Sequence, residues 1–95
     1  MTPDTIVVAN PDALSSSVGI ETVILHFTAG TYFGLNEVGT RIWQLVQNRR
    51  SVREIRDTLL EEYDVDEERC DRALFSLLDS LAEHGLITTD APSTP

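Results

Sequence analysis

Only a few side chains of this 95-residue sequence have the chemistry of a catalytic group. Covalent catalysis needs a nucleophile, a base and a group that orients the base. The single thiol, Cys70, comes early in a predicted helix, where it serves better as a packing residue. The two histidines are His26, in a predicted strand, and His84, near a predicted helix C-terminus that favours a cation. The sequence therefore predicts no catalytic residues and no enzyme activity.

The residues that could hold a metal or a phosphate have the wrong spacing. One cysteine and two distant histidines do not match a structural zinc site. The acidic run "EEYDVDEERCD" lacks the loop glycine and the ligand order of a calcium-binding hand. A glycine-rich phosphate loop is also missing from the sequence. We therefore predict no metal site and no cofactor.

The charge of the chain limits its partners. The formal net charge is -9, and all seven basic residues are arginines. Such a balance argues against non-specific binding to nucleic acid or to anionic membranes, which need a positive surface. A lone cysteine gives no internal disulfide, and "MTPDTIVVAN" lacks the basic region of a signal peptide. The expectation is a cytoplasmic protein with no membrane partner.

The pattern of apolar residues predicts strands first and helices afterwards. We expect "TIVVA" (5–9) to be a strand and "PDALSSSVG" (11–19) to be a loop. The runs "IETVILHF" and "TYFGL" are predicted to form a hairpin through the turn "TAGT", with Gly30 free to adopt a positive φ.

Three predicted helices follow the hairpin, and each has capping signals. The predicted caps are Asn36 for the first helix, Ser51 with Glu54 as a capping box for the second, and Asp66 with Gly85 for the third. The fold class is therefore α+β, winged helix-turn-helix-like, with a three-stranded antiparallel sheet followed by three helices. We expect one domain over residues 1–88 and a flexible tail over residues 89–95.

A winged-helix layout raises a DNA-binding regulator as the alternative function. The helix that would read DNA, residues 66–84, carries six acids against Arg69 and Arg72, so phosphates would repel it. We therefore expect no nucleic-acid partner. The one basic cluster has two interpretations, a solvated turn with a pair such as Arg53 to Asp57, or a docking surface for a partner protein. Its members are Arg49, Arg50, Arg53 and Arg56.

The third helix has more apolar surface than one core-facing stripe requires. At about 100° per residue, one stripe contains Cys70, Ala73, Leu74, Leu77 and Leu81. A second stripe contains Asp71, Phe75, Leu78 and Ala82, with Asp79 at its polar edge. The second stripe either widens the core-facing surface or forms a groove. An edge strand beside such a groove could receive an extended peptide as an added strand.

Two long stretches resemble the PqqD family of peptide chaperones, also called recognition elements for ribosomally made, post-translationally modified peptides. They are "GTYFGLNEVGTRIWQLV" and "SVREIRDTLLEEYDVDEERCDRALFSLLDSLAEHGLI", and the resemblance extends from about Glu21 to Ile87. The detail is most similar to the standalone recognition proteins of lasso-peptide maturation. Proteins of the pyrroloquinoline quinone pathway often carry an acid-glycine pair where this chain reads "QNRRS". A carrier of that or another modified-peptide pathway is the alternative within the family.

The resemblance implies a non-catalytic protein that binds the leader of a precursor peptide and presents it to a maturation enzyme. In lasso systems the implied partners are a leader peptidase, which is a cysteine protease, and a cyclase. The implied contacts on the strand are Thr31, Tyr32, Phe33, Gly34 and Leu35. Those on the third helix are Asp71, Phe75, Leu78, Asp79 and Ala82. Gly34 either lets the peptide backbone approach or relieves crowding at a bend.

Overall fold

A computed structural model describes residues 2–90 as an α+β fold. Its elements in chain order are β1 (Ile6–Ala9), β2 (Ala13–Val18), β3 (Glu21–His26), β4 (Thr31–Leu35), α1 (Glu37–Val46), β5 (Arg50–Ser51), α2 (Val52–Glu62), α3 (Glu67–Glu83) and β6 (Ile87–Asp90). The predicted class, with a three-stranded antiparallel sheet and three helices, is confirmed.

The strands form two separate three-stranded sheets. The first has the order β2-β3-β4 and contains the predicted hairpin, in which His26 pairs with Thr31 and Thr22 with Leu35. The second has the order β5-β1-β6, with β1 in the centre. The first predicted strand therefore does not join the hairpin. Val7 in β1 is fully buried, so this strand serves as the middle of a different layer.

The predicted loop over residues 11–19 is wrong, because residues 13–18 form β2. Every residue of β2 pairs with β3, from Ala13 opposite His26 to Val18 opposite Glu21. Three consecutive serines have the composition of a loop, but the pairing with β3 satisfies their backbone groups and overrides local propensity. The sequence also did not indicate β6. Thr89 and Asp90, predicted to begin the tail, pair with β1, and residues 91–95 of that tail lie outside the described range.

The three helices begin where their caps were predicted. The Asn36 side chain accepts a hydrogen bond from the Gly39 amide at 2.9 Å, and the Asp66 side chain accepts one from the Arg69 amide at 2.8 Å. Ser51 and Glu54 form the reciprocal capping box that starts α2. Gly85 ends α3 with φ of 72°, the left-handed conformation that glycine adopts without strain.

The junction between β4 and α1 fixes the strand to the helical layer. Leu35, the last residue of β4, is buried, and Asn36 directly after it caps α1. Gly39 lies against Leu35 so closely that a Cβ there would be 3.1 Å from the Leu35 Cδ2 atom. Because strand end, cap and first helical turn are packed together, β4 has little freedom to move relative to α1.

The core lies among the helices and both sheets, and the β5-β1-β6 sheet contributes Val7 and Ile87 to it. The β2-β3-β4 sheet contributes Ile24 and Leu35, and α1 contributes Ile42 and Val46. From α3, the buried residues are Cys70, Leu74, Leu78 and Leu81. The predicted core stripe is therefore correct in part, since Ala73 is exposed and Leu77 is only half-buried.

Candidate functional site

A groove runs between β4 and α3 and has a volume of about 830 Å³, within the usual range for ligand pockets. It is formed by the end of β4, the first turns of α1, the end of α2 and one side of α3. The lining residues are Phe33, Gly34, Leu35, Asn36, Val38, Gly39, Ile42, Leu59, Tyr63, Val65, Arg69, Cys70, Arg72, Ala73, Leu74, Ser76 and Leu77. We call this feature the β4–α3 groove.

One edge of the groove is the free edge of the β2-β3-β4 sheet. Within the described residues, β4 pairs with β3 on one side and with no strand on the other. The Phe27 amide, directly after β3, donates to the carbonyl of Asp12, directly before β2, so the backbone groups of Phe27 face β2. Since backbone groups alternate in direction along an antiparallel ladder, Thr31, Phe33 and Leu35 face β3, and Tyr32 and Gly34 face outward. Tyr32 and Gly34 therefore present N–H and C=O groups at the free edge.

Gly34 lies in open space at this edge. A Cβ built at Gly34 has no heavy atom within 4 Å outside its chain neighbours, so the free protein has no crowding that requires a glycine there. Of the two interpretations of Gly34, relief of crowding at a bend has no support in this geometry. The other interpretation, that Gly34 lets the backbone of a bound peptide approach closely, stays a prediction.

The side chains of β4 alternate between the groove side and the outer side of the sheet. Leu35 is buried and Phe33 is half-buried, whereas Tyr32 is 71% exposed on the opposite face. The Phe33 ring contacts the His84 ring edge-to-face, with centroids 5.0 Å apart. This aromatic pair joins the middle of β4 to the C-terminal end of α3.

The groove side of α3 carries small and apolar residues together with two arginines, and it has no acids. Ala73 is exposed and Leu77 is half-buried, and both line the groove. Val38 and Val65, exposed at 39% and 47%, contribute further apolar surface to the groove. The only charged side chains in the lining are Arg69 and Arg72. These two arginines make the charge of the groove lining positive, although the net charge of the chain is -9.

The predicted second stripe of α3 is not in this groove. Leu78 is fully buried in the core, and Phe75 is a half-buried residue packed against that core. The Asp71 carboxylate lies 3.7 Å from the Arg56 guanidinium of α2. Asp79 and Ala82 are exposed, and none of the five residues lines the groove. The expectation that this stripe adjoins β4 is therefore wrong in geometry, and any peptide contact by these residues stays a prediction.

The helical geometry of α3 explains why the sequence pattern assigned the wrong flank of this helix to the groove. At about 100° per residue, the buried face is flanked by Ala73 and Leu77 on one side and by Asp71, Phe75 and Ala82 on the other. Both flanks carry apolar residues, so the pattern alone does not say which one faces β4. The small residues Ala73 and Ser76, three positions apart, were the sequence signal that could have identified the flank facing β4.

The predicted arginine cluster is largely compensated by acids. Arg49 pairs with Asp90 at 3.0 Å, and Arg53 pairs with Asp4 at 3.1 Å, so the expected pair of Arg53 with Asp57 is wrong. Arg56 is 20% exposed and lies among Asp57, Glu67 and Asp71. Arg50 is half-buried in β5. Docking of a partner on Arg49, Arg50, Arg53 and Arg56 stays a prediction.

The residues considered for catalysis and metal binding occupy structural positions. Cys70 is buried, and that burial, reinforced by the Asp71 carboxylate, raises the pKa of its thiol. A thiol with a raised pKa is a poor nucleophile. The His84 Nδ1 atom lies 2.8 Å from the Ser80 carbonyl, and the His26 Nδ1 atom accepts from the Ala29 amide at 3.2 Å. Over residues 2–90, no three His, Cys, Asp or Glu side chains form a group able to hold a metal ion.

Within the same range, none of the helices has the length and apolar character needed to cross a membrane.

A free sheet edge beside an apolar helical groove is an arrangement that can accept an extended segment, on a small α+β domain. The family comparison agrees with this geometry. The chain belongs to the PqqD family, whose model, Coenzyme PQQ synthesis protein D (PqqD), matches residues 21–87.

Two solved structures are similar over most of the chain. One, "TbiB1 in Complex with the TbiA(beta) Leader Peptide", is 38% identical with a TM-score of 0.79, covering 84% of this chain and 93% of the other. The second, "Lasso peptide synthetase B1 complexed with the leader peptide", is 24% identical with a TM-score of 0.76, covering 86% and 96%. The second likeness concerns the fold alone. A comparison with curated protein sequences returned no match.

Proposed function

We propose that this protein binds the leader of a ribosomally made precursor peptide and presents it to a maturation enzyme, the leader peptidase of a lasso-peptide system. The observation that carries the proposal is the free edge of β4 directly beside the β4–α3 groove. It is supported by the 38% identity to a protein solved with a leader peptide. The protein acts by recognition, without a cofactor or catalytic residues of its own.

The leader adds to the sheet as a fourth strand beside β4. Its backbone bonds to the outward N–H and C=O groups of Tyr32 and Gly34. Each such bond contributes about 1 kcal/mol net, because the free groups already bond to water. Ordering a flexible peptide costs roughly 2–5 kcal/mol, so backbone pairing alone gives weak binding. The groove must therefore supply the rest.

Alternate side chains of the added strand enter the β4–α3 groove. An apolar anchor buried against Ala73 and Leu77 contributes about 2 kcal/mol. Arg69 and Arg72 line the same groove and favour an acidic residue at that point of the leader. Arg72 already pairs with Glu68 at 3.0 Å, so binding an acidic leader residue would replace one exposed ion pair with another. The contribution of Arg72 to leader affinity is therefore small.

The decisive experiment compares the two edges of the β2-β3-β4 sheet. Pro lacks an N–H group, so Gly34→Pro removes an outward donor from β4 without breaking a bond to β3. Ser15→Pro does the same on β2, since the N–H of Ser15 points away from β3 in the alternating ladder. We expect Gly34→Pro to weaken binding of a synthetic leader peptide by about ten-fold or more, and Ser15→Pro to leave it unchanged.

Calorimetric titration measures the affinity, and circular dichroism checks that both variants remain folded. Gly34→Ala is a further control for the free protein, because its Cβ meets no neighbour within 4 Å. If Ser15→Pro is the variant that loses binding, the leader uses the other edge of the sheet. Equal affinity in all variants would rule out strand addition.

A further inference from the structure

The outer face of the β2-β3-β4 sheet is apolar, and no other segment of the described residues 2–90 covers it. Eight large apolar side chains are exposed in the described part of the chain, and two of them, Val38 and Val65, belong to the β4–α3 groove. The other six all come from the sheet and its turns, with exposures between 37% and 71%. They are Leu14, Val18, Ile20, Val23, Phe27 and Tyr32.

The strand register places the members of this set that belong to β2, β3 and β4 on one surface. Leu14 lies opposite Leu25, which lies opposite Tyr32, so the three form a row across the sheet. The next row on the same face contains Val23 with Gly34 beside it. Contiguous apolar patches of this kind mark contact surfaces on soluble proteins. We call this surface the outer sheet face.

The outer sheet face has an acidic rim. Residues 11–35, which include β2, β3 and β4, contain two acids and no lysine or arginine. The acids are Asp12 and Glu21. A second copy of this chain would bring like charges together around the patch, and an anionic membrane would be repelled. The rim instead complements a different protein whose apolar surface is bordered by basic residues.

The outer sheet face is continuous with the proposed leader site. Tyr32 and Gly34 hold the outward backbone groups of β4 and also belong to the outer rows of the sheet. A strand added at β4 extends the same face, because its alternate side chains point away from the groove. A protein on the outer sheet face would therefore contact both this chain and the bound leader.

We propose that the outer sheet face is the docking surface for the maturation enzyme that receives the leader, through an apolar patch with a basic border. This inference rests on the proposed function and deepens it, since it names the partner surface. Docking beside β4 lets the enzyme recognise the loaded form, because the leader completes the contact surface.

The test uses a variant in which three exposed side chains of this face become polar while β propensity is kept. These changes are Leu14→Thr, Val18→Thr and Phe27→Thr, and Phe27→Thr alone serves if the triple variant is unstable. We expect leader affinity to remain within about two-fold of wild type, because none of the three lies in the groove or on β4. The rate of leader removal by the purified leader peptidase of the same gene cluster should fall by about ten-fold or more.

A matched variant tests the other predicted docking surface. Arg49→Gln with Arg53→Gln removes two exposed charges of the arginine cluster, and we expect wild-type leader removal. Raising the salt concentration should slow leader removal with the wild-type protein, because salt screens the attraction between the acidic rim and the basic border of the enzyme. Loss of activity in the arginine variant with full activity in the sheet variant would overturn the inference.

Two further outcomes separate the inference from the proposed function. If wild-type protein sediments as a dimer and the sheet variant as a monomer, the face binds a second copy and the inference is wrong. If wild-type protein fails to bind the synthetic leader at all, the proposed function is wrong and the inference falls with it. Unchanged leader removal by a folded sheet variant overturns the inference alone.

Discussion

Small side chains on α3 control access to the β4–α3 groove. Ala73 and Ser76 lie on the side of the helix that faces β4, and both leave room above the helix backbone. Larger residues there would fill the space that an added strand needs. Ala82 is also exposed on α3 but lies on the opposite flank, outside the groove. The two alanines therefore form a matched pair for testing which flank binds the leader.

We expect Ala73→Gln to weaken leader binding by about ten-fold, since a bulky polar side chain replaces the apolar groove surface. Ala82→Gln should bind like wild type. Glutamine is close to alanine in helix propensity and uncharged, so neither change should disturb α3 or its dipole. Calorimetric titration of both variants decides between the flanks. The reverse result would show that the Asp71, Phe75, Leu78 and Ala82 stripe contacts the peptide.

At the scale of elements, the helical layer depends on a link between α1 and α2. The Arg41 guanidinium donates two hydrogen bonds to the Glu62 carboxylate, at 2.7 and 2.6 Å. This bidentate geometry is the strong form of an ion pair. The hydrogen bond from Arg41 lowers the pKa of Glu62 below its ordinary value of 4.5. Because α1 is also joined to β4 through Leu35 and Asn36, the link supports the strand that forms the groove.

The lowered pKa gives this link a defined pH dependence. A carboxylate with a depressed pKa in the folded state adds stability above its unfolded pKa, and this is lost as the pH falls through the folded pKa. We therefore expect Glu62→Gln to lower the melting temperature at pH 7. The difference from wild type should shrink as the pH falls below about 4.5, the ordinary value for Glu62.

Thermal unfolding followed by circular dichroism between neutral and acidic pH measures this effect. Glu61→Gln is the matched control, because Glu61 is exposed, adjacent and outside the ion pairs of the described residues. A melting-temperature difference for Glu62→Gln that stays constant with pH would show that the ion pair does not stabilise the fold.

At the scale of the whole molecule, the acidic charge of this protein argues against the DNA-binding function that a winged-helix layout raises. The exposed surface of α3 carries Glu67, Glu68, Asp79 and Glu83, and Arg72 is already paired with Glu68. Three of the arginines before and within α2 are likewise paired with acids, namely Arg49, Arg53 and Arg56. Phosphates would thus meet few open cations on the helix that would have to enter a groove.

We expect no retardation of a DNA duplex by this protein, even at low salt, where electrostatic binding is strongest. An electrophoretic mobility assay with increasing protein concentration measures this directly. Salt-sensitive retardation that is lost in Arg69→Gln with Arg72→Gln would instead support a DNA-binding function for α3.

Local interactions made much of this protein predictable. The N-caps at Asn36, Ser51 and Asp66, the left-handed glycines and the hairpin over residues 21–35 all depend on residues within a few positions of one another. Hydrophobic periodicity predicted the three helices, and the family resemblance implied the edge position that β4 has in the sheet. The family resemblance was visible in the sequence for the same reason, since its motifs are contiguous stretches.

The features that the sequence did not predict depend on long-range packing. The pairing of serine-rich β2 with β3, and of β1 with β5 and β6, depends on residues distant in the chain. The rotation of α3 about its axis decided that Ala73 and Leu77, and not Phe75, lie in the groove beside β4. Both flanks of that helix are apolar, so only the burial of the complete core, with Leu74, Leu78 and Leu81 at its centre, distinguishes them. The sequence by itself predicted the hairpin that contains β4. The tertiary structure determined that the outer edge of β4 has no partner strand within the described residues, and which side of α3 lies beside it, because both depend on contacts between residues distant in the chain.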